Sequence, residues 1–277
     1  MIYAYDTLMD SLAALAIEAV CTPVAAVQSY WLILVARQAI AGTSLTLGGL
    51  RRQAQEETVL SMPCWAQSLA SQALERLWRE GVWWDTPGAL ALSQVGMDTD
   101  VTSQSQVVGR WKTAYQPYID EILDYVCRIW QAARRLYGSQ TPDLAALPEE
   151  VRRGVVLFEA GLYFACHEYF ETLWGRTGDK ASDLYQGIIQ VAVAMRHLES
   201  HNVRGAIILL RYGMGRLQRY PAVYQGLPLA AWLERLETLL THLETLPTPT
   251  AYQFDARHVP RMLNCTVKRV TCGLPAK

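Results

Sequence analysis

The sequence predicts an all-α fold. Apolar residues recur at three- and four-residue spacing along most of the chain, and the period-2 alternation typical of half-buried strands is scarce. Of the 277 residues, 51% are hydrophobic and 18% are charged, which is too apolar a composition for an intrinsically disordered chain. A chain of this length can bury one large core or two ordinary ones. We therefore expect helices packed around one or two cores.

The most apolar part of the chain, from Ser11 to Ala36, raises the question of a membrane span. Glu18, Pro23 and Gln28 interrupt it. The uninterrupted pieces are shorter than the roughly 20 apolar residues that a transmembrane helix needs. We predict a buried helical hairpin here and no membrane span.

Two further helices and a long loop complete a predicted N-terminal helical region, residues 1–138. The segment 63–81 begins with proline and ends with glycine, as helices often do. The segment 118–137 has acidic residues early, arginines late and an apolar stripe between them. Between these helices, residues 82–108 are polar and poor in bulky side chains after Trp83-Trp84, which predicts a loop.

Two prolines mark residues 139–148 as a linker and a candidate domain boundary. Five helical segments follow, separated by short breaks, at 149–160, 163–174, 183–199, 204–219 and 229–246. Short connections make neighbouring helices antiparallel, so residues 149–246 are predicted to form an up-and-down helical bundle. Its hairpins resemble those of tetratricopeptide modules, because a tight turn precedes a small residue at Ala165 and again at Ala206.

The C-terminal tail, residues 247–277, differs in composition from the bundle. It opens with Pro-Thr-Pro and carries several basic side chains against a single acid, Asp255. Two interpretations of the tail fit its composition. The tail is a surface strap or disordered end, or it is a basic arm that contacts an acidic partner.

Charge and cysteine usage exclude several classes of protein. A formal net charge of -1 argues against general nucleic-acid binding, which depends on a strong positive field. The acidic N-terminus lacks the positive region of a secretory signal. The six cysteines are scattered without a C-x-x-C pair, so neither a zinc ribbon nor a redox dithiol is indicated. We predict reduced thiols and a cytoplasmic location.

The candidate chemistry lies in the segment GLYFACHEYFETLW. On a helix, Tyr163, His167, Glu171 and Trp174 fall at i, i+4, i+8 and i+11, within a stripe roughly 80° wide. Tyr163 and Trp174 are expected to be core aromatics that line the polar cluster. One imidazole and one carboxylate, a single turn apart, have the spacing of two ligands for a common metal ion. The same spacing also suits a hydrogen bond in which the carboxylate sets the tautomer of the ring.

The two following helices offer further polar side chains on matching faces, namely Gln186, Gln190, His197, Arg204 and Arg211. In an antiparallel bundle these are expected to surround His167 and Glu171 as ligand-binding or supporting groups. Two ligands are too few for a tight transition-metal site. The metal interpretation therefore needs a further ligand, from His197, Gln190 or elsewhere.

The stretch from about 151 to 221 resembles a bacterial and archaeal family, domain of unknown function 309. His167, Glu171 and Trp174 fill its His-x-x-x-Glu-x-x-Trp/Tyr signature, and LFEAGLYFACHE resembles the run around it. The segment YQGIIQVAVAMRHLESHNVRGAIILLRYGMGRLQRYP resembles the family's next two helices. Glu159 stands where asparagine is common, and Cys166 where alanine is common. The resemblance implies a helical bundle with a suggested role in metal binding. Residues 1–140 resemble no family.

Two functional hypotheses follow from different classes. The first is a protein that binds one divalent metal ion or a small ligand at His167 and Glu171, with enzymatic activity left open. Its sequence lacks the strand–turn–helix context of a glycine-rich nucleotide loop, so no nucleotide cofactor is expected. The second is a non-catalytic adaptor for a protein partner, in which the His/Glu/Gln cluster is a buried structural network. Exposed aromatics such as Trp83-Trp84 suit an interface.

Overall fold

The computed structural model describes residues 2–40, 45–46, 63–80, 84–85, 108–111, 113–138, 141–176 and 179–263. Helices make up most of these residues, which confirms the all-α prediction. The chain divides into two compact units, with the boundary between Ala133 and Arg134. The helices are α1 (Ile2–Cys21), α2 (Pro23–Ile40), α3 (Cys64–Gln67), α4 (Ala70–Glu80), α5 (Ile119–Tyr137), α6 (Pro142–Ala145), α7 (Glu149–Glu159), α8 (Tyr163–Trp174), α9 (Asp179–Glu199), α10 (Val203–Leu217) and α11 (Leu229–Glu244).

The first unit contains the predicted hairpin, formed by α1 and α2. Thr22 separates the two helices, and its hydroxyl accepts a bond from the Ala25 amide. Helix α2 is buried on nearly all sides from Ala25 to Ala36, and the Trp31 indole donates to the Ala70 carbonyl of α4 at 2.9 Å. Among the described residues, none of the helices combines the length and apolarity needed to cross a membrane.

Three short strands also lie in the first unit: β1 (Leu45–Thr46), β2 (Trp84–Asp85) and β3 (Val108–Trp111). They pair antiparallel in the order β1-β3-β2, with Leu45 opposite Gly109 and Trp84 opposite Trp111. The prediction of a loop over 82–108 is therefore wrong at both ends, where β2 and β3 lie. The sequence did not reveal these strands because segments of two to four residues are too short to show a period-2 pattern. The interior of that segment, 86–107, and Trp83 lie outside the described residues.

Other helix boundaries differ slightly from the predictions. A turn at Ser68 and Leu69 divides the helix predicted at 63–81 into α3 and α4. The one-turn helix α6 lies inside the predicted linker, and α9 begins at Asp179 instead of 183. Helix α8 has the predicted bounds. Terminal turns carry little apolar pattern, which is why sequence locates helix ends least well.

The second unit holds the bundle, in which consecutive helices from α7 to α11 pack against each other. Two of its turns have the same geometry. After α7, Gly161 takes a left-handed φ of 76°, and the Leu162 amide donates to the Leu157 carbonyl at 3.0 Å. After α9, His201 takes a φ of 58°, and the Asn202 amide donates to the His197 carbonyl at 2.8 Å. Both are Schellman-type helix ends, and they confirm the predicted helical hairpins.

Helices α9 and α10 approach each other to backbone contact. A Cβ placed on Gly213 would lie 2.9 Å from the Gly187 carbonyl oxygen, and one on Gly187 would lie 3.1 Å from the Gly213 carbonyl oxygen. Backbone atoms cannot swing aside as the end of a flexible side chain can. Glycine at both positions is therefore what allows this pair of helices to pack so closely.

As far as Leu263, the C-terminal tail is a strap on the bundle. Tyr252, Val259, Met262 and Leu263 are buried in it, and the Arg235 guanidinium of α11 donates to the Arg261 carbonyl at 2.9 Å. These contacts explain how an apparently polar segment packs on the bundle: its few apolar side chains are buried, and its backbone carbonyls accept hydrogen bonds from Arg235. Residues 264–277 lie outside the described part of the chain.

A buried carboxylate holds the strap in place. Glu159, at the end of α7, is only 4% exposed. It accepts bonds from the Met262 amide at 2.7 Å and the Leu263 amide at 3.3 Å, and its other oxygen lies 3.4 Å from Arg261. Burial raises the pKa of the Glu159 carboxyl above its ordinary value, while Arg135, Arg261 and the two amides oppose that rise.

Cysteine chemistry differs in part from the prediction. Cys21, Cys64 and Cys166 are free thiols, as expected. Cys127, which is buried in α5, forms a disulfide, so the expectation of reduced cysteines throughout is wrong. Spacing along the sequence shows local motifs such as C-x-x-C, but it does not show which distant cysteines a fold brings together.

Replacing Glu159 tests how the strap is held. We expect Glu159→Ala to lower the free energy of unfolding by about 1–3 kcal/mol, because two buried amides lose their acceptor. Glu159→Gln keeps an acceptor without burying a charge, so its stability at neutral pH should equal or exceed that of the wild type. Urea denaturation of the three proteins measures both effects. Equal losses in the two variants would contradict this account.

The raised pKa of Glu159 also predicts a pH dependence. An unfolded glutamate titrates near about 4.3, so above that pH the folded protein retains a proton that the unfolded chain has lost. The wild type should therefore lose stability relative to Glu159→Gln as the pH rises from about 4.3 through the folded pKa, and the difference should level off above it. Chemical denaturation across this pH range measures the difference in the free energy of unfolding. An increase in wild-type stability relative to Glu159→Gln as the pH rises would contradict the prediction.

Two glycines of α10 should respond oppositely to alanine. Gly213→Ala forces a methyl group against the α9 backbone and should cost about 1–3 kcal/mol of stability. Gly215 is exposed, and a Cβ there would meet nothing within 4 Å, so Gly215→Ala should stabilise the protein by about 0.5–1 kcal/mol. Thermal and urea denaturation distinguish the two, and a Gly213→Ala variant as stable as the wild type would contradict the helix packing described above.

Candidate metal centre

Helix α8 presents one apolar and one polar face. Tyr169 and Phe170 are buried, and the Tyr169 hydroxyl donates to the Glu150 carbonyl of α7 at 3.0 Å. The Phe170 ring fills the space beside Gly154 of α7, where a Cβ would overlap it. These contacts turn the side of α8 that carries the sequence-predicted Glu171 toward the surface and leave the sequence-predicted His167 at its border, 18% exposed.

Three side chains of this polar face lie close together. His167 Nε2 is 3.1 Å from Glu171 Oε1, and His167 Nδ1 is 3.3 Å from Glu168 Oε1. One potential ligand atom from each residue lies within 4.8 Å of the others. A single imidazole therefore has a carboxylate beside each of its two nitrogens.

The site is open on the carboxylate side and sheltered around the imidazole. The His167 side chain is 18% exposed, whereas Glu168 and Glu171 are 43% and 48% exposed. Nδ1 is buried and has no hydrogen-bond partner among the described residues, because its contact with Glu168 is close but not aligned as a hydrogen bond. The Phe164 ring lies 5.8 Å from the imidazole, measured between ring centres.

Glu168 is the member of the site that the sequence analysis missed. Adjacent residues point about 100° apart on a helix, so a search for residues on one stripe excludes the neighbour of His167. A glutamate side chain is long enough to reach back across that angle. The adjacent pair His167-Glu168, one turn before Glu171, is the pattern that identifies all three.

The two aromatic residues of the predicted stripe have different environments. Tyr163 is buried, with its ring 5.3 Å from that of Phe158, so it belongs to the core. Trp174 is 40% exposed, and the expectation that it lines a core beside the cluster is wrong. It lies in the last turn of α8, on the exposed side of the helix that also carries Glu171.

The polar residues predicted on α9 make contacts toward α10. Gln190 lies beside Gly213, with its Cβ 3.3 Å from where a Cβ on that glycine would stand, and its Oε1 is buried without a hydrogen-bond partner in the described structure. His197 Nδ1 lies 2.9 Å from the Asn202 side-chain nitrogen, while Asn202 Oδ1 accepts from the Gly205 amide. His197 thus supports the N-cap of α10. Gln186 is half-buried.

The arginines predicted on α10 also have other surroundings. Arg211 forms an ion pair with Glu244 of α11 at 2.9 Å, and Arg204 is exposed in the first turn of α10. Arg211 therefore joins α10 to α11, and Arg204 faces solvent. Sequence spacing placed them on a shared helix face, but it did not show which neighbouring helix that face meets.

Cys166, the residue before His167, is fully buried. Burial raises the pKa of its thiol well above its ordinary value. A thiol held in the protonated form is not a nucleophile, and the full burial of this side chain separates it from the exposed carboxylates. The chemistry of this face therefore belongs to the imidazole and the two carboxylates.

Comparison with known proteins identifies one segment. Residues 151–209 match the family model described as "Domain of unknown function (DUF309)", which confirms the resemblance over α7, α8, α9 and the first part of α10. The match contains His167, Glu168 and Glu171. None of the curated proteins matches the chain, and none of the solved structures does.

Proposed function

We propose that His167, Glu168 and Glu171 bind one divalent transition-metal ion. The observation that carries this proposal is the proximity of three ligand atoms within 4.8 Å, with one imidazole nitrogen buried and free of a hydrogen bond among the described residues. A ring nitrogen in that state has its lone pair available to a metal when the imidazole is neutral.

The chemistry of the ligands favours particular metals. Imidazole suits Zn, Cu, Ni and Fe, and carboxylate oxygen suits harder ions such as Mn. A mixed set of one imidazole and two carboxylates therefore favours Zn²⁺, Fe²⁺ or Mn²⁺ over Ca²⁺ or Mg²⁺. Three protein ligands leave at least one coordination position for water or a small ligand, and the exposed carboxylates keep that position accessible to solvent.

The alternative interpretation of the cluster is a buried structural network. Such a network needs its polar groups shielded and mutually satisfied, whereas Glu168 and Glu171 are each more than 40% exposed. Exposed ion pairs contribute about 0–1 kcal/mol to stability. The arrangement therefore gives little stability to the bundle, and ligand binding accounts better for three such groups at one place.

Metal titration of the purified full chain tests the proposal. We expect Zn²⁺, Fe²⁺ or Mn²⁺ to raise the melting temperature, with a stabilisation of about 2.7 kcal/mol at a hundredfold excess over Kd. His167→Ala should abolish the rise, and Glu168→Gln and Glu171→Gln should each weaken it. Calorimetric titration gives the stoichiometry, expected to be one ion per chain.

His258 provides a matched control. It is an exposed histidine 3.8 Å from the Asp255 carboxylate, so it reproduces one half of the cluster. His258→Ala should bind metal as the wild type does. If none of the three metals stabilises the wild type, or if the two histidine variants lose binding equally, the proposal is refuted.

A further inference from the structure

One side of α8 remains exposed in the described structure. The helix packs against α7 and α9, while Glu168, Glu171 and Trp174 are each at least 40% exposed. Trp174 follows Glu171 by three residues, which places both side chains on the same side of the helix. Tryptophan is enriched where proteins contact one another. We call the surface formed by Glu168, Glu171 and Trp174 the open side of α8.

The candidate metal ligands all come from this one helix. His167, Glu168 and Glu171 lie within little more than one turn of α8, so an ion bound there is held from one side only. Within the described chain, no fourth histidine, cysteine or acidic side chain joins the group. Ions with few protein ligands work in dry, shaped cavities, whereas these carboxylates stand on the outer side of a helix. The coordination sphere is therefore incomplete within a single chain.

A second copy of the chain brings the missing ligands. In a twofold dimer, the same surface of each subunit meets its equivalent, so two open sides would combine two imidazoles with four carboxylates. That is the ligand set of the di-iron and di-manganese carboxylate centres found between helices of bundles. The four carboxylates carry four negative charges, which two divalent ions neutralise. Without the ions the same charges repel one another, so the association depends on metal.

The position of Trp174 suits such a dimer. In two antiparallel copies of α8 that cross midway between His167 and Glu171, Trp174 of one copy lies opposite position 164 of the other. That position holds Phe164, whose ring lies beside the imidazole. Aromatic side chains from both copies would then border the ligands at each end and keep water from the ions. Contacts between aromatic rings also favour this arrangement.

We propose that two copies of the chain associate through the open sides of α8 and hold two divalent ions between their two sets of ligands. This inference rests on the proposed function and names the partner that completes the same site. Each ion takes ligands from both copies, while the stoichiometry stays at one ion per chain. Fe²⁺ and Mn²⁺ are the ions that this mixture of carboxylates and imidazoles favours.

Sedimentation velocity of the full chain tests the proposal, with Mn²⁺ or anaerobic Fe²⁺ added to one sample and EDTA to the other. We expect a monomer of 31.1 kDa in EDTA and a dimer with metal. Electron paramagnetic resonance, with Mn²⁺ as the probe, reports whether the ions are shared. Two neighbouring ions give a spin-coupled spectrum, whereas separate sites give the hyperfine pattern of isolated Mn²⁺.

Variants locate the interface. Trp174→Ser keeps all three ligands and should weaken the metal-dependent dimer at least tenfold, with the folded state checked by circular dichroism. Tyr212→Ser removes an exposed aromatic side chain from α10 and serves as the matched control, so its dimer should equal that of the wild type. His167→Ala should remain a monomer at every concentration of metal.

The possible results separate this inference from the proposed function. If the wild type binds one ion per chain and stays a monomer, metal binding stands and the shared site is refuted. If no ion binds at all, both proposals fail. A dimer that forms equally well in EDTA, or one that Trp174→Ser and Tyr212→Ser weaken equally, would also overturn the inference.

Discussion

The packing of Phe170 against Gly154 determines what the polar face of α8 can do. With no Cβ on α7 at that point, the aromatic ring enters the interface fully, and the Tyr169 hydroxyl bond to Glu150 secures the same side of the helix. Because Tyr169 and Phe170 are both buried, the side of α8 that carries Glu168 and Glu171 faces solvent, and His167 lies at its border, 18% exposed. Any metal chemistry at these residues depends on that apolar contact, since a rotated helix would bury two carboxylates at a prohibitive cost in solvation.

The bundle uses glycine in three physically different ways. Gly154 and Gly213 make room for neighbours, a ring in one case and a backbone in the other. Gly161 supplies a left-handed turn, a conformation that the corresponding turn after α9 achieves with His201 instead. Gly215 does neither, because it is exposed and a Cβ there would meet nothing within 4 Å.

The carboxylate of Glu159 is buried, whereas those of Glu168 and Glu171 are exposed, and this difference decides what each can bind. Glu159 is buried and accepts hydrogen bonds from two amides of the strap. Burial raises the pKa of its carboxyl, so holding the strap costs some of the free energy of folding. Glu168 and Glu171 keep their contact with solvent and lie beside a histidine, which leaves them available to a cation. The difference arises from position: Glu159 lies at the end of α7 beneath the strap, whereas the other two lie in the middle of α8 on its outer side.

The sequence by itself determined the helical class, the hairpin of α1 and α2, the bounds of α8 and the pairing of His167 with Glu171. All of these depend on periodicity within one or two turns, which neighbouring residues encode directly. Only the tertiary structure decided the roles of Glu159, Glu168, Arg211 and Cys127. Their partners come from other elements or from a side chain reaching across a helix face, and such contacts depend on how helices rotate and pack against one another. Local pattern indicates which face of a helix is polar but not which neighbouring element that face meets. Trp174 was expected in the core because it is large and apolar, and it lies at the surface on the same side of α8 as Glu171.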